Sequence, residues 1–279
     1  MINALLILLA NFVFVSAYAS PTSFRESKKL LSSDKDVWSH TFYCGCDVRK
    51  HNGKLIPDLG SCGVSPRKNE ERASRIEWDH VMPAHFFGHH LPCWTSGGRK
   101  ECSRNDSFFK AMEGDLHNLV PAIGEINGDR SNFAFGEVVG EERRYGHCDI
   151  EIHFAKKLVE PRTKIRGDVA RIYLYMSDRY SIPLNDQQAR MFEEWSRVDP
   201  VSDYECNLNW RKAKLQGWVN PFVSKDCQGE FNTGRKTIFP SPTFEINYKA
   251  PIQKLDAPTT AGGKEGALLS EGQESDDIF

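Results

Sequence analysis

Glu77-Trp78-Asp79-His80-Val81-Met82-Pro83-Ala84 is the stretch on which the fold turns. A strand-like run, Arg75-Ile76-Glu77-Trp78, delivers two polar residues side by side. It then gives way to a segment started by proline, whose fixed φ suits a first helical turn. Neighbours along a strand point to opposite faces, so Asp79 and His80 share a site only where the strand ends or twists. A carboxylate suits a hard divalent cation, and an imidazole titrates near neutral pH and can take a proton from water. Taken alone, the pair reads more simply as a surface carboxylate beside a buried, hydrogen-bonded histidine.

A second segment changes that balance. Met112-Glu113-Gly114-Asp115-Leu116-His117-Asn118-Leu119 is followed closely by Gly124-Glu125-Ile126-Asn127-Gly128-Asp129-Arg130-Ser131-Asn132. Acidic and amide residues set among glycines suit a metal or phosphate site better than an apolar core. Mg²⁺ commonly takes one or two protein oxygens and keeps its remaining waters for substrate phosphate. Asp79 with Asn127 supplies that minimal set. Arg99 lies between Cys93 and Cys102 and offers a planar fork for a phosphate oxygen.

The chain has 279 residues, 39% hydrophobic and 27% charged, enough for one large domain or two small ones. That composition excludes wholesale disorder and a fibrous repeat. A formal net charge of −2 shows none of the global basic excess that often marks a nucleic-acid binder. The charge is unevenly spread. The Gly-, Pro- and Ser-rich tail 229–279 holds five basic and eight acidic residues, leaving 31 basic and 30 acidic in the rest. The tail is expected to be disordered, a solvating extension.

Residues 1–20 carry no charged side chain and hold an apolar run from Ala4 to Val15. Ala17-Tyr18-Ala19 then offers the small residues of a signal-peptide cleavage site, so a leader over 1–19 and a domain over 20–228 are expected. The run is shorter than the roughly 20 residues needed to span a bilayer, so no membrane anchor is expected. An exported protein sits where disulfides persist, and the eight cysteines read as four of them. Cys44 and Cys46 are too close to pair with each other, which leaves Cys62 and Cys148 as candidate partners. Cys93 and Cys102 bracket Gly97-Gly98, and Cys206 and Cys227 tie a helix to its own exit. No CxxC pair favours cysteine-bound zinc.

Helices are expected in the C-terminal half. Val169, Ile172, Tyr173 and Met176 form an apolar face over 167–178. Asn185 or Asp186 caps a helix that buries Ala189, Phe192 and Trp195, and a third helix covers 203–216 before Gly217. The middle, roughly 40–155, reads as irregular and glycine-punctuated. The class is α+β, with the chemistry in that centre.

Six motifs then follow in order: Thr41-Phe42-Tyr43-Cys44-Gly45-Cys46, Arg67-Lys68-Asn69-Glu70 with Arg72-Ala73-Ser74-Arg75, Trp78 to Ala84, Gly97-Gly98-Arg99-Lys100, Asn127-Gly128-Asp129-Arg130, and Asn220-Pro221-Phe222-Val223. Together they resemble the bacterial endonuclease I family, secreted or periplasmic nucleases of the ββα-metal (His-Me finger) class, from about Thr41 to Cys227. The resemblance implies a disulfide-stapled ββα-metal core with additional helices. It makes His80 the general base, places one divalent ion on Asp79 and Asn127, and gives Arg99 a phosphate and Glu113 an orienting role. The ion would be Mg²⁺, with Mn²⁺ or Ca²⁺ able to occupy the same donors. The implied reaction is non-specific hydrolysis of DNA, and also of RNA, leaving 5′-phosphate ends. Asp79 departs from close relatives, which carry glutamate there, and the lost methylene shortens the ligand's reach.

The remaining features are weighed against plainer roles. His85 and His89 have helical i, i+4 spacing but no HExxH context, so they read as structural or solvent-facing. His117 reads as a hydrogen-bonded structural histidine rather than support for the site. Basic residues at Arg67-Lys68, Arg72, Arg75, Arg99-Lys100, Arg104, Arg130, Arg143-Arg144 and Arg162 to Arg166 are solvated faces on the plain reading. On the functional one Arg72, Arg75, Lys100 and Arg130 line a groove for backbone phosphates, which carries no sequence information. Against the nuclease stands a secreted binding module that keeps the scaffold without catalysis, with Asp79 as its lesion. Nothing in the sequence calls for an obligate protein partner, and a monomer is expected.

Overall fold

Ser23, Asn185 and Ser202 each accept a backbone N–H with a side-chain oxygen at the head of a helix, satisfying donors that the helix leaves unpaired. The computed structural model describes residues 21, 23–140 and 142–227. The expected leader 1–19, the tail 229–279 and the domain limits at 20 and 228 lie outside those residues.

The chain opens with α1 (Phe24–Leu31) and the short α2 (Lys35–Trp38), then a hairpin of β1 (Val48–His51) and β2 (Lys54–Pro57). One helical turn, α3 (Glu70–Ala73), leads into β3 (Ile76–His80). Three helices follow, α4 (Ala84–Gly88), α5 (Pro92–Asn105) and α6 (Ser107–Glu113). Then β4 (Leu119–Ile123) returns antiparallel to β3, with Ile76 opposite Ile123 and His80 opposite Leu119, and runs directly into α7 (Gly124–Arg130). Beyond lie β5 (Ala134–Phe135), β6 (Ile150–His153) and β7 (Leu158–Pro161), with β7 central in a three-stranded sheet. The chain continues through α8 (Arg166–Tyr180), α9 (Asp186–Val198), α10 (Asp203–Gln216) and α11 (Pro221–Ser224). The architecture is α+β, with small separate sheets among many helices.

The C-terminal helices stand where the sequence pattern puts them, although Ala189, expected on the buried face of α9, is only partly buried. Val169, Ile172, Tyr173 and Met176 of α8 are buried, as are Phe192 and Trp195 of α9, whose head is a capping box between Asn185 and Gln188. Removing each of those large apolar side chains from water is worth about 1.5–3 kcal/mol. The middle of the chain is more regular than the sequence suggests, because the connection from β3 to β4 is largely the helices α4, α5 and α6. Helices as short as α4 and α6 hold too few turns for apolar periodicity to show. α5 is also broken internally at Gly97 and Gly98.

Strand β3 lies between two apolar clusters. Trp78 packs with Leu31, Val37, Trp38, Leu116 and Leu119, whereas Val81 and Met82, just past the strand, enter the main core with Phe87, Phe109, Met112 and Ile126. Glu77 and Asp79 on one face contact α7, and His80 on the other contacts α1 and the end of α6. Four disulfides tie these elements: Cys44–Cys148, Cys46–Cys62, Cys93–Cys102 and Cys206–Cys227, with Cα separations of 4.8–5.8 Å. Each cysteine finds its partner within the groups expected from spacing.

Candidate active site

His80 is the last residue of β3 and is 5% exposed. Its Nε2 lies 2.8 Å from the backbone oxygen of Glu113. A carbonyl oxygen only accepts, so Nε2 carries the proton and the neutral ring presents its lone pair at Nδ1. Nδ1 has no hydrogen-bond partner among the described residues. Burial first, then the nearby Arg99 charge, lowers the ring's pKa to about 3, so the imidazole is neutral at physiological pH. A neutral ring with one nitrogen tethered and the other open is the form a general base requires.

The segment that holds His80 also holds Arg99. Glu113 is buried at the end of α6, and its Oε1 accepts from Arg99 Nε at 2.8 Å and from Ser103 Oγ at 2.9 Å. The break in α5 makes this contact reachable. Gly98 adopts φ 65° and ψ −159°, a combination open essentially to glycine alone, and it turns the chain just before Arg99. Cys93–Cys102 closes the same loop, so backbone shape and covalent bond together fix the guanidinium.

On the opposite face of β3, α7 supplies Asn127 and Arg130, three residues apart and on one side of the helix. Asn127 Nδ2 donates to Glu77 Oε2 at 2.7 Å. A carboxylate accepts only, so the amide's orientation is set and Oδ1 points elsewhere, with no partner among the described residues. Glu77 also takes Arg72 through two nitrogens, at 3.0 and 2.8 Å, and Arg75 Nε at 3.0 Å. Burial alone would raise its pKa, but the hydrogen bonds from Arg72 and Asn127 outweigh it and hold the carboxyl below its usual range. Gly124 and Gly128 leave room for Arg72 to lie against α7, where a Cβ would collide with it.

Asp79 accepts from Tyr43 Oη at 2.6 Å and from Arg130 NH1 at 3.1 Å. Here the structure corrects the sequence expectation for Arg130. That residue is 1% exposed, and its terminal nitrogens donate to Asp79 and to the carbonyls of His80 and Val81. It braces the end of β3 from inside and has no surface to offer a phosphate. Arg72 and Arg75, also expected along a groove, are both paired with Glu77, and Lys100 is exposed beside Arg99. Arg67 and Lys68 pair with Asp129, and Glu125 accepts the backbone N–H groups of residues 67–69 at 2.7–3.0 Å.

The expected donors Asp79 and Asn127 offer only oxygens to a cation, and every cysteine is in a disulfide. An oxygen-only set with one open amide oxygen fits a hard divalent cation and gives no soft ligand for zinc. His85 and His89 stack face to face at 4.7 Å on the surface, and no group of three metal-binding side chains occurs among the described residues. His117 Nε2 pairs with the carbonyl of Trp218 at 2.9 Å and is structural. Glu77, Tyr43 and Ser103 are the site residues that sequence reasoning missed. Strand alternation carried a signal for Glu77, since it shares the α7 face with Asp79.

The Endonuclease I family model matches residues 25–227. An extracellular deoxyribonuclease of Aeromonas hydrophila is 47% identical over 222 residues, covering 79% of this chain and 96% of that protein. A periplasmic deoxyribonuclease of the same organism is 47% identical over 207 residues, 74% of this chain and 87% of the relative. Endonuclease-1 of Buchnera aphidicola subsp. Acyrthosiphon pisum is 48% identical over 187 residues, 67% and 74% of the two chains. The matched span takes in β3, β4 and α7 and every side chain of the candidate site described above, so this chain belongs to the endonuclease I family.

Proposed function

We propose that this protein is a secreted or periplasmic endonuclease that hydrolyses the phosphodiester bonds of DNA, and also of RNA, without sequence preference and with a divalent cation. The observation that carries the reading is the tether from His80 Nε2 to Glu113, which leaves Nδ1 as a base at the end of β3. In this mechanism Nδ1 takes a proton from the attacking water, and the 3′ oxygen leaves, so the 5′ end keeps the phosphate. Arg99, held by Glu113 through Nε, contacts a phosphate oxygen. Asp79 and Asn127 are the residues that would hold the cation, with Mg²⁺ the natural occupant of an oxygen set. The chemistry a bound ion supplies is neutralisation of charge on the phosphate and on the leaving oxygen. The β3–β4–α7 unit is the ββα-metal element in this reading. Lys100, with Arg72 and Arg75 behind it, lends the positive field for backbone phosphates. The protein acts as a monomer on this reading, with residues 1–19 as its leader.

Degradation of supercoiled plasmid by the purified, oxidised protein tests the proposal. Cleavage with Mg²⁺, none with EDTA, and a rate lowered about 10²–10⁴-fold in His80→Ala are expected. A rival reading, a module that binds nucleic acid without cutting it, draws on Asp79, whose oxygens already accept from Tyr43 and Arg130. Plasmid left intact by wild-type protein with Mg²⁺ supports that rival and refutes the nuclease. Full activity in His80→Ala refutes the assigned base.

A further inference from the structure

A hydrogen bond at Nε2 holds one end of the His80 ring, yet rotation about the Cβ–Cγ bond still swings Nδ1 through an arc. A side chain packed against the ring must stop that rotation. The Phe24 ring does so, with its centroid 4.6 Å from that of His80 and the planes tilted by 42°. Phe87 adds only an edge contact at 6.1 Å. The same Phe24 ring carries the guanidinium carbon of Arg99 at 5.5 Å from its centroid. One aromatic side chain therefore touches both groups assigned to the reaction.

Phe24 is the first residue of α1, 56 positions before His80 in the chain, and α1 is anchored where those two groups are anchored. Ser27 is fully buried, and its Oγ donates to the backbone oxygen of Gly114 at 2.6 Å. Gly114 follows Glu113, whose carbonyl takes His80 and whose carboxylate takes Arg99. Leu31, at the far end of α1, is fully buried in the cluster that contains Trp78. The helix is thus fixed at its middle by Ser27 and at its far end by Leu31 against the segments that carry the site.

We propose that Phe24 is a positioning residue for His80 and Arg99, holding the imidazole and the guanidinium in their working geometry through a tilted ring contact and a cation–π contact supplied by the N-terminal helix. This rests on the assignment of His80 as base. Aromatic-pair and cation–π contacts are directional, so an aromatic ring does what aliphatic bulk cannot. Misplacement of a reacting group by about 1 Å can cost on the order of 10²-fold in rate.

The test measures kcat and KM on a short DNA duplex for Phe24→Leu, Phe24→Ala and Phe24→Tyr, alongside His80→Ala, with melting curves for each. Phe24→Leu keeps apolar bulk and so keeps the fold. It is expected to lose about 10–100-fold in kcat with KM within about 2-fold, while Phe24→Tyr restores kcat. The His80 ring-proton resonances in the metal-free protein should shift in Phe24→Leu through loss of the ring current and remain near wild type in Phe24→Tyr. A folded Phe24→Leu with wild-type kcat, whatever its His80 resonances, overturns the positioning role, and where His80→Ala is inactive it leaves the nuclease reading standing. Full activity in His80→Ala overturns both.

Discussion

Replacing Arg130 with methionine separates an internal brace from a nucleic-acid contact. Methionine fills part of the volume but removes the charge that Asp79 faces at 3.1 Å and the donors to the carbonyls of His80 and Val81. Both partners are buried, Arg130 at 1% and Asp79 at 6% exposure. Burial opposes the guanidinium's charge, but the neighbouring Asp79 carboxylate more than offsets it, so the folded protein holds the proton more firmly than water does. Breaking a buried pair by removing one member costs about 3–5 kcal/mol, because the remaining charge stays buried without its counterion. For a domain of this size each kcal/mol lowers the melting temperature by roughly 2–4 °C, so a fall of about 6–20 °C is expected in Arg130→Met. Asp79→Asn in the same background should return part of that loss, since the stranded charge is then gone. DNA affinity measured against salt supplies the second arm. A lost phosphate contact reduces the slope of log K on log salt by about 0.9, and Arg130→Met should leave the slope unchanged. An unshifted melting curve together with a reduced slope would place Arg130 on the DNA and refute the internal role.

Two further outcomes follow from the same structure. Cys44 and Cys148 are 104 residues apart and Cys93 and Cys102 only nine, so loop-closure entropy ranks their removal at about 4.7 and about 2.6 kcal/mol. Guanidinium unfolding of the two double Cys→Ala variants checks the order, and equal losses would count against the entropic account. Burial pushes the pKa of His117 down to about 4, below its unfolded value near 6.5. The unfolded chain therefore binds the proton first as pH falls. This contribution is complete above about pH 6.5 and is lost progressively down to about pH 4, about 3 kcal/mol in all. His117→Asn should lose less stability than wild type over that window, and parallel curves for the two proteins would contradict the assignment.

The local features of this protein were legible because they repeat or punctuate over a few residues. The apolar spacing of α8, the Asn185 cap of α9 and the Gly217 end of α10 are nearest-neighbour signals, and the helices form where those signals stand. The strand ending at His80 and the proline after it were equally local. α4 and α6 were not legible, being short, nor was α5, whose pattern is broken at Gly97 and Gly98. Charge was the least informative quantity. The sequence distinguishes neither an arginine that braces a strand from one that meets solvent nor a carboxylate that awaits a cation from one already saturated by Arg72, Arg75 and Asn127.

By itself the sequence determined the α+β class and the family, and it singled out His80, Arg99, Glu113 and Asn127 as candidate site residues, while leaving open which of Cys62 and Cys148 pairs with Cys44 and which with Cys46. Only the tertiary structure decided what each of them touches. The phase of α7 against β3 sends Arg130 inward to Asp79 and brings Asn127 to Glu77. The docking of α1 sets Phe24 on His80 across 56 residues of chain. Such contacts follow from how whole elements pack, and no window of sequence contains both partners.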